Sequence, residues 1–277
     1  MMAAEIKDLS QLCVHTITTK PWPIEKIAEK FAKAGVKGVT VWRQALQGRD
    51  PAKVGDMLRS YGLEVVSLCR GGFFPADTRE KRQAAIEDNL RALDEAVALG
   101  APMIVLVCGA EPSQSLGKSR MQIKTGIESI LVHAEAYNIK LAIEPLHPMY
   151  ADTRSAINTL RQANDIAEAI GSINIGVAVD VYHLWWDPEL EQQIHRCGEM
   201  DKLFAFHICD WKTPTLDILN DRGLMGEGCI NINKIRAWVE QTGFEGFNEV
   251  EIFSNTYWQH DQDEFLAKII DAYLYKS

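Results

Sequence analysis

Along the chain, short apolar runs rich in β-branched residues alternate with longer stretches in which apolar residues return every three or four positions. The short runs cover residues 12–16, 38–42, 64–69, 103–108, 140–144, 175–180, 203–208 and 247–252. They are nearly continuous rather than alternating, the pattern of a parallel strand covered on both faces. Between them the 3.6-residue period predicts helices over 23–34, 52–61, 78–99, 118–137, 153–170, 188–197 and 232–241, and a last one over 261–275. In the third of these, Ile86, Leu90, Leu93, Ala96 and Val97 share one helical face. Gly35, Gly62, Gly100, Gly171 and Gly243 stand just past predicted helix ends, where glycine takes a left-handed conformation without strain.

Eight strand-helix units in this order predict an α/β fold, a single-domain TIM (β/α)8 barrel over residues 1–277, with a doubly wound open sheet as its competitor. No linker, charge block or low-complexity stretch marks a domain boundary. The longest connection runs from Cys209 to Ile230, and connections of that length are often functional. With 47% apolar and 24% charged residues the chain can bury a large core unaided. A formal net charge of −9 disfavours nucleic acid and anionic membranes as partners, while a small phosphorylated substrate needs only a local positive site. The six cysteines are scattered without a CxxC pair, which reads as buried small residues in a reducing compartment. The N-terminus lacks a basic region followed by an apolar stretch, and no apolar run approaches a membrane span, so a cytoplasmic soluble protein is expected.

Chemistry concentrates at the ends of strands five to eight. Strand five ends at Glu144; strand six ends at Asp180, with His183 three residues on; strand seven carries His207 and then Asp210; strand eight carries Glu249 and Glu251. Parallel neighbours in a barrel bring these ends to one rim, where active sites of such barrels lie. Carboxylates and an imidazole that close together need a counter-charge, and a divalent cation supplies it. An oxygen-rich set with one nitrogen suits Mn²⁺, Mg²⁺, Co²⁺ or Fe²⁺ better than a thiolate-type structural zinc site. Glu249 and Glu251 point to the same face of their strand; Glu251, nearer the C-terminal end, is the preferred ligand, and Glu249 would sit deeper and need a partner.

The segments GVKGVTVW, LAIEPLHP, DVYHLWWDP, HICDW, MGEG and VEIFS together resemble the xylose-isomerase-like superfamily of TIM barrels, in its sugar phosphate isomerase/epimerase group, over essentially the whole chain. The resemblance implies one divalent metal, manganese first and magnesium, cobalt, iron(II) or zinc as alternatives, held by Glu144, Asp180, His207 and Glu251. It implies that Glu144 and Glu251 are the catalytic acid/base pair working on opposite faces of a substrate carbon. It makes His183 a substrate-binding residue, and Arg222, four residues before Gly226, another. Met225 stands where the group's epimerases usually have proline. His147 and Trp185 are further candidates for substrate contact, with Trp186, His15, Arg43 and Arg70 also near the predicted mouth.

The chemistry follows from the residues as well. A cation polarising a carbonyl and its neighbouring hydroxyl acidifies the proton between them, and a carboxylate alongside removes it to give an enediolate. Reprotonation then isomerises or epimerises a sugar, sugar phosphate or keto-polyol. Loss of a β-leaving group instead gives a lyase, of the inosose- or dehydroshikimate-dehydratase kind or a keto-sugar eliminase. An AP endonuclease, which the same superfamily contains, would need extra histidines on strands two to four and a DxH pair after strand seven; here Asp210 is followed by Trp211 and Lys212. The expected partner is thus a small carbohydrate, with no nucleic acid and no membrane, and self-association into a homo-oligomer is left open.

Overall fold

Period-two alternation decides which side chains meet inside a closed sheet. On β5 (Lys140–Glu144), β6 (Ile175–Asp180) and β7 (Leu203–Ile208), Leu141, Ile143, Val177, Val179, Phe206 and Ile208 face outward into the main core. Ala142, Ala178 and Ala205 belong instead to a separate inner cluster with Met103 and Val105. Glu144, Asp180 and His207 each lie two residues beyond one of these alanines, so the pleat turns them inward too. Small side chains below leave room for polar ones above.

The computed structural model describes residues 3–277. The remaining barrel strands are β1 (Leu12–His15), β2 (Gly38–Trp42), β3 (Glu64–Gly72), β4 (Met103–Val107) and β10 (Asn248–Val250), and all eight run parallel in a closed ring. Closure comes from β1 against β10, with Cys13 opposite Glu249. Register sets the site: Asp180 lies opposite His207 on one side, and His207 opposite Glu249 on the other. A two-stranded antiparallel ribbon, β8 (Asp210–Trp211) with β9 (Arg222–Gly223), rises from the C-terminal rim.

Around the sheet run α1 (Ile24–Ala34), α2 (Pro51–Ser60), α3 (Arg79–Leu99), α4 (Leu116–Ala136), α5 (Leu160–Ile170), α7 (Leu190–Glu199), α8 (Ile232–Gln241) and α9 (Gln262–Lys276), with a single turn, α6 (Val181–Leu184), directly after β6. Thr78, Ser115 and Thr159 cap α3, α4 and α5 by accepting from the backbone N–H three residues on, each cap contributing about 1 kcal/mol. Among the described residues no helix is long and apolar enough to cross a membrane.

The last barrel strand, expected over 247–252, ends at Val250, and two further elements depart from the sequence expectation. Strand β3 continues to Gly72 across a register shift between Cys69 and Gly71. Asn89 of α3 pins this extension, accepting from Gly72 N at 2.6 Å and donating to Gly72 O at 2.8 Å. Only glycine fits there: φ is +108°, and a Cβ would lie 2.0 Å from Val107 O. Helix α5 begins at Leu160 rather than Thr153, because the preceding segment is committed elsewhere. Ser155 bridges to Gly109, and Asn158 donates to Leu146 O and Ser155 O.

Candidate active site

The inward-facing donors converge on the C-terminal side of the barrel. Single ligand atoms of Glu144, Asp180, His207 and Glu251 all lie within 4.8 Å of one another, every residue buried. Glu249 sits beneath, as its earlier position on the strand predicts. It accepts from Thr40 Oγ1 at 2.5 Å and lies 3.1 Å from His15 Nε2. Thus His15 belongs to the floor under the cluster. Its Nδ1 faces the Trp42 indole N–H at 3.2 Å and Glu251 Oε1 at 3.1 Å.

Arg222 reaches the cluster from the ribbon. Its Nη1 lies 2.6 Å from Glu251 Oε2 and 3.0 Å from Asp180 Oδ2, while Nη2 is 3.1 Å from His183 Nε2. It is no surface arginine. The nearby acids are engaged elsewhere, Asp221 with Lys212 and Glu227 with Tyr257 and Leu224 N. Tyr182 and Phe253 flank the guanidinium, 4.4 and 5.1 Å from their ring centres.

Electrostatics separates these groups. Burial raises the Asp180 carboxyl, with Arg222 opposing and Glu251 and Glu144 adding to the rise. Glu251 feels the same burial, but Arg222 and His15 prevail and hold it well below the usual carboxylate range. Burial alone would strip the His207 proton; Glu249, Glu144 and Glu251 prevail and push it up to about 10. His183 goes the other way, driven well below its ordinary value by burial and then by Arg222.

These residues fit a cation. Both ring nitrogens of His207 and Glu144 Oε1 are buried without a hydrogen-bond partner. His207 Nδ1 and Glu144 Oε1 are only 2.9 Å apart, yet lack the alignment a hydrogen bond needs. A ring nitrogen and a carboxylate oxygen left unsatisfied among ligand atoms this close suit a shared cation, and three carboxylates with one imidazole match the hard divalent ions.

An aromatic wall stands above. His147, half-buried, has its ring 5.0 Å from Trp211 and 5.6 Å from Trp186, while Tyr182 is 4.7 Å and Trp185 5.7 Å from Trp211. Trp185 is 36% exposed, whereas Trp186 is fixed by its indole N–H to His183 O. Sequence reading missed Trp211, Tyr182 and Tyr150; the first two flank residues that were singled out, a proximity signal available beforehand. Arg43 is taken by Asp88 and Glu95. Cys69, Cys108 and Cys209 are buried packing residues with thiols pushed up by burial. A 530 Å³ cavity is lined by Arg43, Arg49, Arg70, Asp88 and Glu95, without any of the four converging donors in its lining.

Comparison with known proteins agrees with the barrel fold. The profile of the family described as xylose isomerase-like TIM barrel matches residues 28–269. An inosose isomerase of Halalkalibacterium halodurans is 27% identical over 187 residues, 65% of this chain and 63% of that protein's length, so the match spans less than two thirds of that relative. The crystal structure of protein SMc04130 from Sinorhizobium meliloti 1021 is 43% identical, with a TM-score of 0.93 over 96% of this chain and 98% of that one. The IOLI protein, solved with a bound zinc atom, shares the fold at 19% identity, with a TM-score of 0.82 over 95% of this chain and 96% of its own.

Proposed function

This chain belongs to the xylose isomerase-like TIM barrel family, and on that premise we propose that it is a divalent-metal-dependent isomerase or epimerase of a sugar, sugar phosphate or keto-polyol. One observation carries the reading: Glu144 at the end of β5 and Glu251 just past β10, two barrel strands separated by β6 and β7, both contribute to one buried cluster of ligand atoms. The name of the inosose isomerase relative supports a keto-polyol or sugar substrate.

Glu144, Asp180, His207 and Glu251 would hold the metal, manganese first, with zinc among the alternatives given the zinc in the IOLI protein. When bound, it would polarise a substrate carbonyl and its neighbouring hydroxyl. Glu251, kept ionised by Arg222 and His15, is suited to take the proton from the carbon between them. Glu144, across the cluster, returns a proton from the other side. Arg222 and neutral His183 give N–H groups to substrate oxygens, and His147 and Trp185 line the entrance. The ribbon over the rim limits the water that would scramble reprotonation.

The test is solvent isotope exchange. Metal-loaded protein with candidate keto-sugars in deuterium oxide should wash label into the carbon next to the carbonyl. Glu144→Gln and Glu251→Gln should each lower the rate by ~10²–10⁴ with the fold retained. An elimination product would identify a lyase instead. Turnover with neither exchange nor elimination would overturn proton transfer as the mechanism.

A further inference from the structure

Among the arginines that are at least partly buried, Arg43, Arg82, Arg120, Arg196, Arg222 and Arg236 each give N–H groups to a carboxylate or a carbonyl oxygen. Arg70 and Arg154 are also partly buried, and neither guanidinium makes an ion pair or hydrogen bond among the described residues. Each rests on an aromatic ring instead. Arg70 Cζ lies 4.0 Å from the Phe73 ring centre, and Arg154 Cζ 5.9 Å from that of Tyr150. Phe73 and Tyr150 belong to one apolar cluster with Val107, Leu146 and Leu219, beside the ends of β4 and β5. A single ring separates Arg154 from the active site, because Tyr150 meets His183 at 5.7 Å.

The two arginines also feel one another. Burial and then the Arg154 charge pull the Arg70 guanidinium down to about 10, and Arg154 bears on His183 as well. Partly buried like charges without a counter-ion cost free energy. The chain is not short of carboxylates, with 38 acidic residues to 29 basic ones, yet none is spent here. Asp88 and Glu95, which line a cavity together with Arg70, are already bound to Arg43. A guanidinium laid on a ring keeps its N–H edge free, the geometry that receives an oxyanion in a fork.

We propose that Arg70 and Arg154 seat an oxyanion carried by the substrate, a phosphate ester or a carboxylate, while its carbonyl end lies at the Glu144–Glu251 cluster. This rests on the isomerase reading and narrows its substrate class to acidic sugars.

Calorimetry on the metal-loaded protein with D-fructose, D-fructose 6-phosphate and D-fructuronate tests it. At least one anion should bind about tenfold more tightly than the neutral ketose, ~1.4 kcal/mol, with the preference shrinking as salt is added. In the R70M/R154M double variant the preference should fall within about twofold while D-fructose binding is unchanged. The better-bound anion identifies the group as phosphate or carboxylate. Equal binding of all three probes, no binding of either anion, or a preference that survives in the double variant overturns the proposal. Losing unpaired like charges should leave the melting temperature equal or higher, and the single variants report each arginine should the double variant misfold. Preference without isotope exchange on any keto-sugar would sink the isomerase reading and leave the oxyanion seat standing; exchange without preference would do the reverse.

Discussion

Two histidines in one buried site hold opposite protonation preferences, and their neighbours explain both. His183 accepts from Arg222 through Nε2, so its proton sits on Nδ1, which is buried without a partner. His207 is ringed by Glu144, Glu249 and Glu251 and keeps its proton up to about pH 10 in the metal-free protein. The sign of its linkage follows. A folded-state value above the unfolded 6.5 gives stability that is fully present below pH 6.5 and lost as pH rises toward 10. His15, also raised, acts in the same direction. Urea unfolding of chelator-treated protein should therefore show stability falling from pH 6.5 to 9.5. Because a metal must displace the His207 proton, metal affinity should rise over the same interval, and calorimetry in buffers of different ionisation heat should detect proton release. Metal-free stability that is flat or rising across that window would mean that His207 is not charged there.

At the scale of elements, Asp210 organises the segment that delivers Arg222. Its Oδ1 accepts from Trp211 N and Ile230 N, and its Oδ2 from Gly226 N and Gly228 N, all at 2.8–3.0 Å. Gly228 passes so close that a Cβ would lie 2.1 Å from Trp211 O. Asp210→Asn replaces one of the two acceptor oxygens by an NH2 that faces backbone N–H groups, and leaving such buried groups unmatched should cost about 1–3 kcal/mol. The expected result is faster proteolysis between residues 212 and 221 and weaker catalysis, with metal content preserved, since Asp210 is outside the converging donor set. Unchanged proteolysis would assign the loop's order to other contacts. This arrangement shows where sequence reading stops. The strands were legible because each is a short apolar run, and Glu144, Asp180, His207 and Glu251 were picked out because each stands at or near the end of one. The continuation of β3 to Gly72 depends on Asn89, 17 residues away, and the late start of α5 on pairings to β4 and the β5 loop. Asp210 was visible as a strand-end acid, but its four backbone partners are not encoded in any local period. Nor could the sequence alone tell that Arg43 would be neutralised and Arg70 left unpaired.

At the scale of the whole molecule, stability and site rest on separate layers of one barrel. The main core lies between sheet and helices, and an inner cluster including Ala142, Ala178 and Ala205 supports the polar groups above. The β1–β10 ladder closes the ring through backbone pairing. Removing the proposed metal should therefore loosen the rim without unfolding the chain, unlike small domains whose folding energy comes from the metal itself. An ion that binds only the folded state at a hundred times its Kd adds ~2.7 kcal/mol. For a barrel of this size that corresponds to a melting shift of ~5 °C or more. Chelation should lower the melting temperature by that order, re-addition of one equivalent of metal should restore it, and far-UV circular dichroism should stay barrel-like throughout. His207→Ala removes the imidazole that lies in register between Asp180 and Glu249. That variant should bind close to no metal and show no metal-dependent shift, because the set of four loses its one nitrogen ligand. Elemental analysis of wild type should find about one ion per chain, as expected for four convergent ligands rather than a multi-metal centre. Three bound ions, or a metal-dependent shift that persists in His207→Ala, would place the metal elsewhere on the rim.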